Sequence, residues 1–223
     1  MQGQLSNVVL FPDIVQEELF EILDEIFDFA MHYYSRTIVN KMERLIEGMN
    51  ISKEEGERIF QQLFFWQTFC SPIGLEQITI YQRYLLRNKA NLRKRNVTVQ
   101  EVLVKWLHLN PGFYMVENTD HSNGKVFILN DLFEGNSKLT YINSKNTRAP
   151  KRGEMITGML FPMAGDYYIA LKGILHIPIP LVKKVSSKII PHYEINATSV
   201  KYKSNPQLYP SLLQITLDIL GEV

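Results

Sequence analysis

The side chains that could do chemistry in this sequence are few, and their spacing excludes most catalytic designs. Five histidines, His32, His108, His121, His176 and His192, stand far apart, and none pairs with another at the i, i+4 spacing that places two imidazoles on one helical face. Cys70 is the only cysteine, so no tetrahedral thiolate site can form and no intramolecular disulfide is available. With Phe69 and Trp66 beside it, it reads as a packed, inert thiol. No G-x-S-x-G elbow occurs, and Gly153, Gly158 and Gly165 lack the spacing and the following lysine of a phosphate loop, so they are assigned to turns. The expectation is therefore no catalytic residue, no metal and no cofactor.

Charged residues are more informative. Acids recur as Asp13, Glu17 and Glu21, and as Asp24 and Asp28, on the outer side of a first helix. That is either a solvated face, a docking strip for a basic partner or an imitation of nucleic-acid charge. Arg83, Arg87, Lys89, Arg93, Lys94 and Arg95 gather around one helix end and the connector after it. Together with Lys151 and Arg152, the residues Arg87, Lys89, Arg93, Lys94 and Arg95 are the candidate nucleic-acid or anion-binding set. Lys145 and Arg148 share a loop with Lys151 and Arg152, and Lys183, Lys184 and Lys188 mark a later helix. Phe127, Tyr141, Tyr167 and Tyr168 could offer rings for base stacking. Asp131 and Glu134 follow a strand, where an Asx turn is the ordinary explanation.

The elements that hold these residues follow from periodicity. Pro12 opens a helix whose apolar residues Ile14, Leu19, Ile22, Leu23, Ile26, Phe27 and Ala30 recur at three-and-four spacing. The pattern continues to Ile46, as one long helix or as two with a break near Ser35, and Gly48 with Asn50 ends it. Ser52 and Glu55 have capping-box spacing and open a second helix; Thr98 and Glu101 repeat that spacing before a fourth. A third helix covers residues 79–88, and the basic stretch from Arg87 to Arg95 reads as a polar connector.

At Asn110-Pro111-Gly112 the period changes to two. Residues 113–117 and 125–130 form a hairpin around the turn His121–Gly124, residues 138–142 form a third strand, and residues 154–160 and 167–171 form a second hairpin. Five short strands at this spacing predict a small antiparallel barrel of SH3-like or OB-like type. Pro178 and Pro180 stop the sheet, and helices over residues 181–190 and 210–220 follow, joined by the polar stretch Asn196–Asn205. The fold class is α+β, divided as a helical region 1–109, a barrel 110–177 and a C-terminal helical segment 178–223 packing back on the body.

Composition sets the outer limits. An apolar share of 45% and a charged share of 21% exclude whole-chain disorder. The longest apolar runs, Leu63 to Trp66 and Ile174 to Val182, are too short to span a bilayer, and the N-terminus lacks the pattern of a secretory signal, so a cytoplasmic protein without membrane partners is expected. The net charge of +1 conceals segregation: residues 1–60 carry 12 acids against 5 bases, and residues 138–203 carry eleven bases against three acids.

The sequence resembles a family of bacterial, mainly Firmicute, cytosolic proteins that often carry a C-terminal SEC-C zinc motif. The likeness covers residues 60–175 and rests on Trp66–Phe69 with the following proline, on Thr79-Ile-Tyr-Gln-Arg-Tyr-Leu, on Trp106-Leu and on Pro111-Gly-Phe-Tyr-Met-Val. Further on it rests on Ile128-Leu-Asn-Asp-Leu-Phe-Glu-Gly, on Arg152-Gly-Glu-Met-Ile and on Gly158-Met-Leu-Phe-Pro-Met-Ala-Gly-Asp-Tyr-Tyr. The zinc motif itself is absent, and the resemblance implies no activity. The leading expectation is a non-enzymatic adaptor or regulatory protein that binds a protein partner or pairs with a second copy through its N-terminal helices. The alternative is an RNA- or ribosome-binding protein using residues 87–95 and the barrel. A second alternative is an enzyme with a polar pocket near Cys70 or Asp131.

Overall fold

The structure is a computed structural model that describes residues 14–49, 51–119, 125–142, 148–165, 167–197 and 205–222. The helix start at Pro12 and Asp13, the turn His121–Gly124, Lys145, Asp166 and most of the polar stretch before Asn205 lie outside the described residues. The architecture is α+β: four helices, a seven-stranded sheet and two further helices.

The long amphipathic stretch is one unbroken helix, α1 (Ile14–Glu47), about 50 Å in length at 1.5 Å per residue. Helix α2 (Lys53–Phe69) starts at the capping box of Ser52 and Glu55, where each side chain meets the other residue's backbone N–H. Helix α3 (Ile80–Leu92) has a second such box, Thr79 with Gln82. It runs four residues past the expected end, so most of the supposed basic connector is helical. Lysine, alanine, leucine and arginine favour helix, and no glycine or proline interrupts them. Helix α4 (Val97–Trp106) is capped by Asn96, whose side chain accepts the Thr98 N–H, rather than by Thr98 itself. Asparagine two residues earlier offers the free donors a stronger cap than threonine.

Seven strands follow: β1 (Gly112–Thr119), β2 (Val126–Asp131), β3 (Ser137–Ile142), β4 (Met155–Gly158), β5 (Leu160–Pro162), β6 (Tyr167–Ala170) and β7 (Leu175–Ile177). Their order is β5-β6-β3-β2-β1-β4-β7, with β3 and β6 parallel and every other pair antiparallel. The expected antiparallel barrel of five strands is thus corrected to a mixed sheet of seven whose hydrogen-bonded order is open. The predicted strand 154–160 divides at Gly158-Met159: β4 pairs with β1 and β7, and β5 pairs with β6. Strand β7 uses the apolar run before Pro178, which sequence reading left unassigned.

That division forces curvature. β4 and β5 lie five strand spacings apart in the order, about 24 Å in a flat sheet. Only Met159 separates them along the chain, a reach of about 7 Å. The sheet therefore curls until its β4 and β5 regions meet. Side-chain alternation agrees: Tyr114, Val116, Phe127, Leu129, Ile142, Ile156, Leu160 and Ala170 form an inner core of their own, while Phe113, Met155, Phe161 and Ile169 face the helices. Helix α2 pins the seam through buried Gln62, which accepts the Met159 N–H at 3.0 Å and donates to the Lys172 carbonyl at 3.1 Å. A Cβ at Gly158 would stand only 3.0 Å from the Gln62 Oε1, so glycine permits this close approach.

Helices α5 (Ile179–Ala197), continuous through Pro191, and α6 (Tyr209–Leu220) complete the larger core with Val185, Ile189, Tyr209, Leu213 and Leu217. That core also holds Leu19, Ile26, Trp66, Phe69, Tyr81, Trp106 and Phe161, so helices and the sheet's outer side share one apolar interior.

Candidate functional site

Two surfaces gather functional groups: the outer stripe of α1 and the mouth of the curled sheet. On α1, Glu17, Phe20, Glu21, Asp24, Asp28 and Met31 are all exposed and follow one another at three-and-four spacing. Phe20 and Met31 keep 43% and 47% of their surface in solvent, and Tyr33 nearby keeps 49%. Residues 14–31 contain six acids and no lysine or arginine. Two of these acids are neutralised within the fold: Arg95 meets Glu18 at 3.1 Å and Glu25 at 3.7 Å, and Tyr84 donates to Glu25 at 2.5 Å. Glu17, Glu21, Asp24 and Asp28 have no ion-pair partner among the described residues. Beside the stripe, α1 and α3 enclose an open groove of about 790 Å³ lined by Glu25, Asp28, Phe29, Met31, His32, Tyr33, Tyr84, Arg87 and Asn88.

The predicted basic set divides. Arg87 donates to the Tyr33 hydroxyl at 2.8 Å, with its guanidinium 4.4 Å from the Tyr33 ring centre, and Arg95 is held by the two glutamates. The attraction between acidic head and basic body is therefore partly spent inside the molecule. Lys89, Arg93 and Lys94 are exposed on the end of α3 and the turn after it. Lys151 and Arg152 are exposed in the loop before β4, and no ion pair or hydrogen bond joins them to the α3 set among the described residues. Of the rings considered for stacking, Phe127 is buried in the inner core, Tyr168 packs against that core, and Tyr141 and Tyr167 pack on the larger one.

The second surface is an opening of about 300 Å³ between the sheet's inner side, the end of α4 and α5. Gly112, Tyr114, Asp131, Lys138, Leu160, Pro162 and Tyr168 line it from the strands, with Phe133, Glu134 and Asn136 from the β2–β3 turn. Lys105, His108, Leu109 and Asn110 close one side, and Tyr193 of α5 adds a ring stacked 3.9 Å from Phe133. At its centre Lys138 pairs with Asp131 at 2.7 Å and lies 3.4 Å from Glu134. The ammonium sits 5.1 Å from the Tyr114 ring centre and 5.8 Å from that of Tyr168. Asp131 makes the expected Asx turn, its Oδ1 accepting the N–H groups of Phe133 and Glu134. Burial first, and then Asp131 and Glu134, push the Tyr114 hydroxyl well above its ordinary range. A Cβ on Gly112 would lie 2.5 Å from that hydroxyl, so only glycine fits beneath it.

Sequence reading named Asp131 and Glu134 but missed Lys138, Tyr114 and Tyr193 as their company. A signal was present: Asp131 and Lys138 fall at the inward parity of β2 and β3, the parity of Leu129 and Ile142, where charges need partners.

Cys70 is buried, donates its thiol to the Leu109 carbonyl, and is pushed up in pKa by burial, as an inert thiol should be. Among the described residues no group of three or more His, Cys, Asp or Glu could hold a metal ion, and no helix is long and apolar enough to cross a membrane.

Glu154, buried like Asp131, meets Arg148 at 2.9 Å and the Lys151 N–H at 2.9 Å, with the His176 Nδ1 at 3.7 Å. Burial alone would raise its carboxyl, but these donors outweigh that and hold it below the usual carboxylate range. Burial, reinforced by Arg148, lowers His176 below 6.5. Both groups thus have folded pKa values below their unfolded ones. Each contributes stability that is complete above the unfolded value and lost as pH falls through the folded one. The urea midpoint should be level above about pH 6.5 and fall below it, first through His176 and then, below about pH 4, through Glu154. Glu154→Gln should flatten the lower part of that profile; an unaltered profile would contradict the assignment.

No family model, curated protein or solved structure matches the chain.

Proposed function

We propose that this chain is a non-enzymatic, cytoplasmic interaction protein that docks a protein partner on the N-terminal half of α1. The carrying observation is the stripe Glu17, Glu21, Asp24 and Asp28, with no ion pair among the described residues, set around exposed Phe20 and Met31 beside an aromatic groove. A partner segment with lysines or arginines around apolar anchors complements both features. A symmetric pairing of two α1 helices would set like charges against each other, which favours a basic partner over a second copy. We also propose kinship of residues 60–175 with the SEC-C-associated proteins.

The curled sheet supports an OB-like reading of the barrel. If β4 and β5 are counted as one bent strand, the order becomes first, second, third, fifth, fourth, with the third and fifth parallel. Such barrels serve oligonucleotide binding in many settings, and the exposed Lys89, Arg93 and Lys94 are what favours RNA as the second reading.

Capture from lysate by the wild-type chain should be compared with capture by a variant carrying Glu17→Lys, Glu21→Lys, Asp24→Lys and Asp28→Lys, across a salt series. Capture should weaken with salt and be lost in the variant, since each charge reversal at an interface changes a favourable contact into a repulsive one. A strict monomer that captures nothing, or equal capture by both proteins, would sink the reading. Capture that depends on Lys89, Arg93 and Lys94 and disappears with ribonuclease would establish the RNA reading instead.

A further inference from the structure

We propose that the mouth of the curled sheet binds a zwitterion of amino-acid size with an apolar or aromatic side chain. The space of about 300 Å³ falls at the lower end of the range for small-molecule sites. It remains open with Lys138 in place, because that side chain is drawn to Asp131 and to the Tyr114 and Tyr168 rings. The polar groups left for a ligand come from two different elements. The side chains of Lys105 and His108, at the end of α4, have no ion-pair or hydrogen-bond partner among the described residues. From the β2–β3 turn comes Glu134, whose Oε2 takes Asn136 and Lys138 while its Oε1 has no partner among the described residues. A carboxylate directed at α4 and an ammonium directed at the turn satisfy both sides at once, and neither a simple anion nor a simple cation does.

The four formal charges around the mouth, Lys105 and Lys138 against Asp131 and Glu134, sum to zero, which suits a ligand that is itself neutral overall. The rest of the wall includes the Phe133–Tyr193 stack, Tyr168, Leu109 and Leu160, an apolar portion set beside Asn110 and Asn136. A ring or branched side chain would lie against it, and an ammonium beside Tyr168 would gain from the ring face, as Lys138 already does. This site is independent of the α1 stripe, so each stands or falls separately.

The full chain should be titrated calorimetrically with L-phenylalanine, N-acetyl-L-phenylalanine and L-phenylalaninamide, and again as the variants Glu134→Gln and Lys105→Met. Both residues are exposed, so the variants keep the fold, which circular dichroism checks. Free phenylalanine should bind. Each blocked derivative, and each variant with free phenylalanine, should bind about tenfold more weakly or less, the cost of one charge-assisted contact. No binding of phenylalanine, leucine or tyrosine to the wild-type chain at concentrations up to about 10 mM would overturn the proposal. So would equal affinity for the blocked derivatives, or binding untouched by both substitutions.

Discussion

Replacing Asp131 with alanine should lower the free energy of unfolding by about 3–5 kcal/mol, the cost of removing one partner from a buried ion pair. Asp131 and Lys138 retain 6% and 13% of their side-chain surface, so solvent screens the pair little. Without the aspartate, the carboxylate left to Lys138 among the described residues is Glu134 at 3.4 Å, and the N–H groups of Phe133 and Glu134 lose their acceptor. The turn that joins β2 to β3 then loosens together with the mouth. The double variant Asp131→Ala with Lys138→Met should recover much of the loss, because an apolar side chain of similar length removes the stranded charge. Urea denaturation measures both. A loss below about 1 kcal/mol for the single variant would mean that the pair behaves as a surface salt bridge.

Trp106→Ala should cost about as much, roughly 3–5 kcal/mol, and lower the melting temperature by about 10 °C. The Trp106 ring is fully buried and meets Phe161 at 5.8 Å, Phe69 at 6.4 Å and Tyr81 at 6.4 Å between centres. Its indole N–H donates to the Pro162 carbonyl at 2.8 Å, so truncation leaves a cavity and an unpaired acceptor together. Because this residue ties α4 to β5 across the shared core, helices and sheet should melt in one transition in the wild-type chain and in the variant. Separate transitions seen by helical circular dichroism and by sheet amide signals would contradict the single interior.

Much of the fold was legible because local signals and tertiary demand agree. The three-and-four pattern of α1, the Ser52–Glu55 box and the hairpin of β1 and β2 all state their structure within a few residues. The curled sheet was only half legible. Nothing local at Met159 tells a continuous strand from one that bends across a seam, since the cause lies in α2, where Gln62 reaches the backbone from nearly a hundred residues away. The α3 extension was hidden by charge: a basic run reads as solvent-exposed, and exposure does not separate helix from loop. The α1 stripe was visible as acids at helical spacing. Which of those acids are paired depended on Arg95 folding back onto Glu18 and Glu25, a contact across about seventy residues that no periodicity encodes. The mouth was visible only at Asp131, because its rings and Lys138 come from five separate segments.

The docking claim is tested most directly by site-resolved photocrosslinking in cells. A benzophenone amino acid is placed at Met31 on the exposed stripe of α1 or, as a remote control, at Lys188 on the exposed side of α5. A discrete protein adduct is expected from position 31 that disappears when Glu17, Glu21, Asp24 and Asp28 are reversed to lysine, and none from position 188. An adduct from position 188 alone, or one from position 31 that survives the charge reversal, would contradict the docking claim.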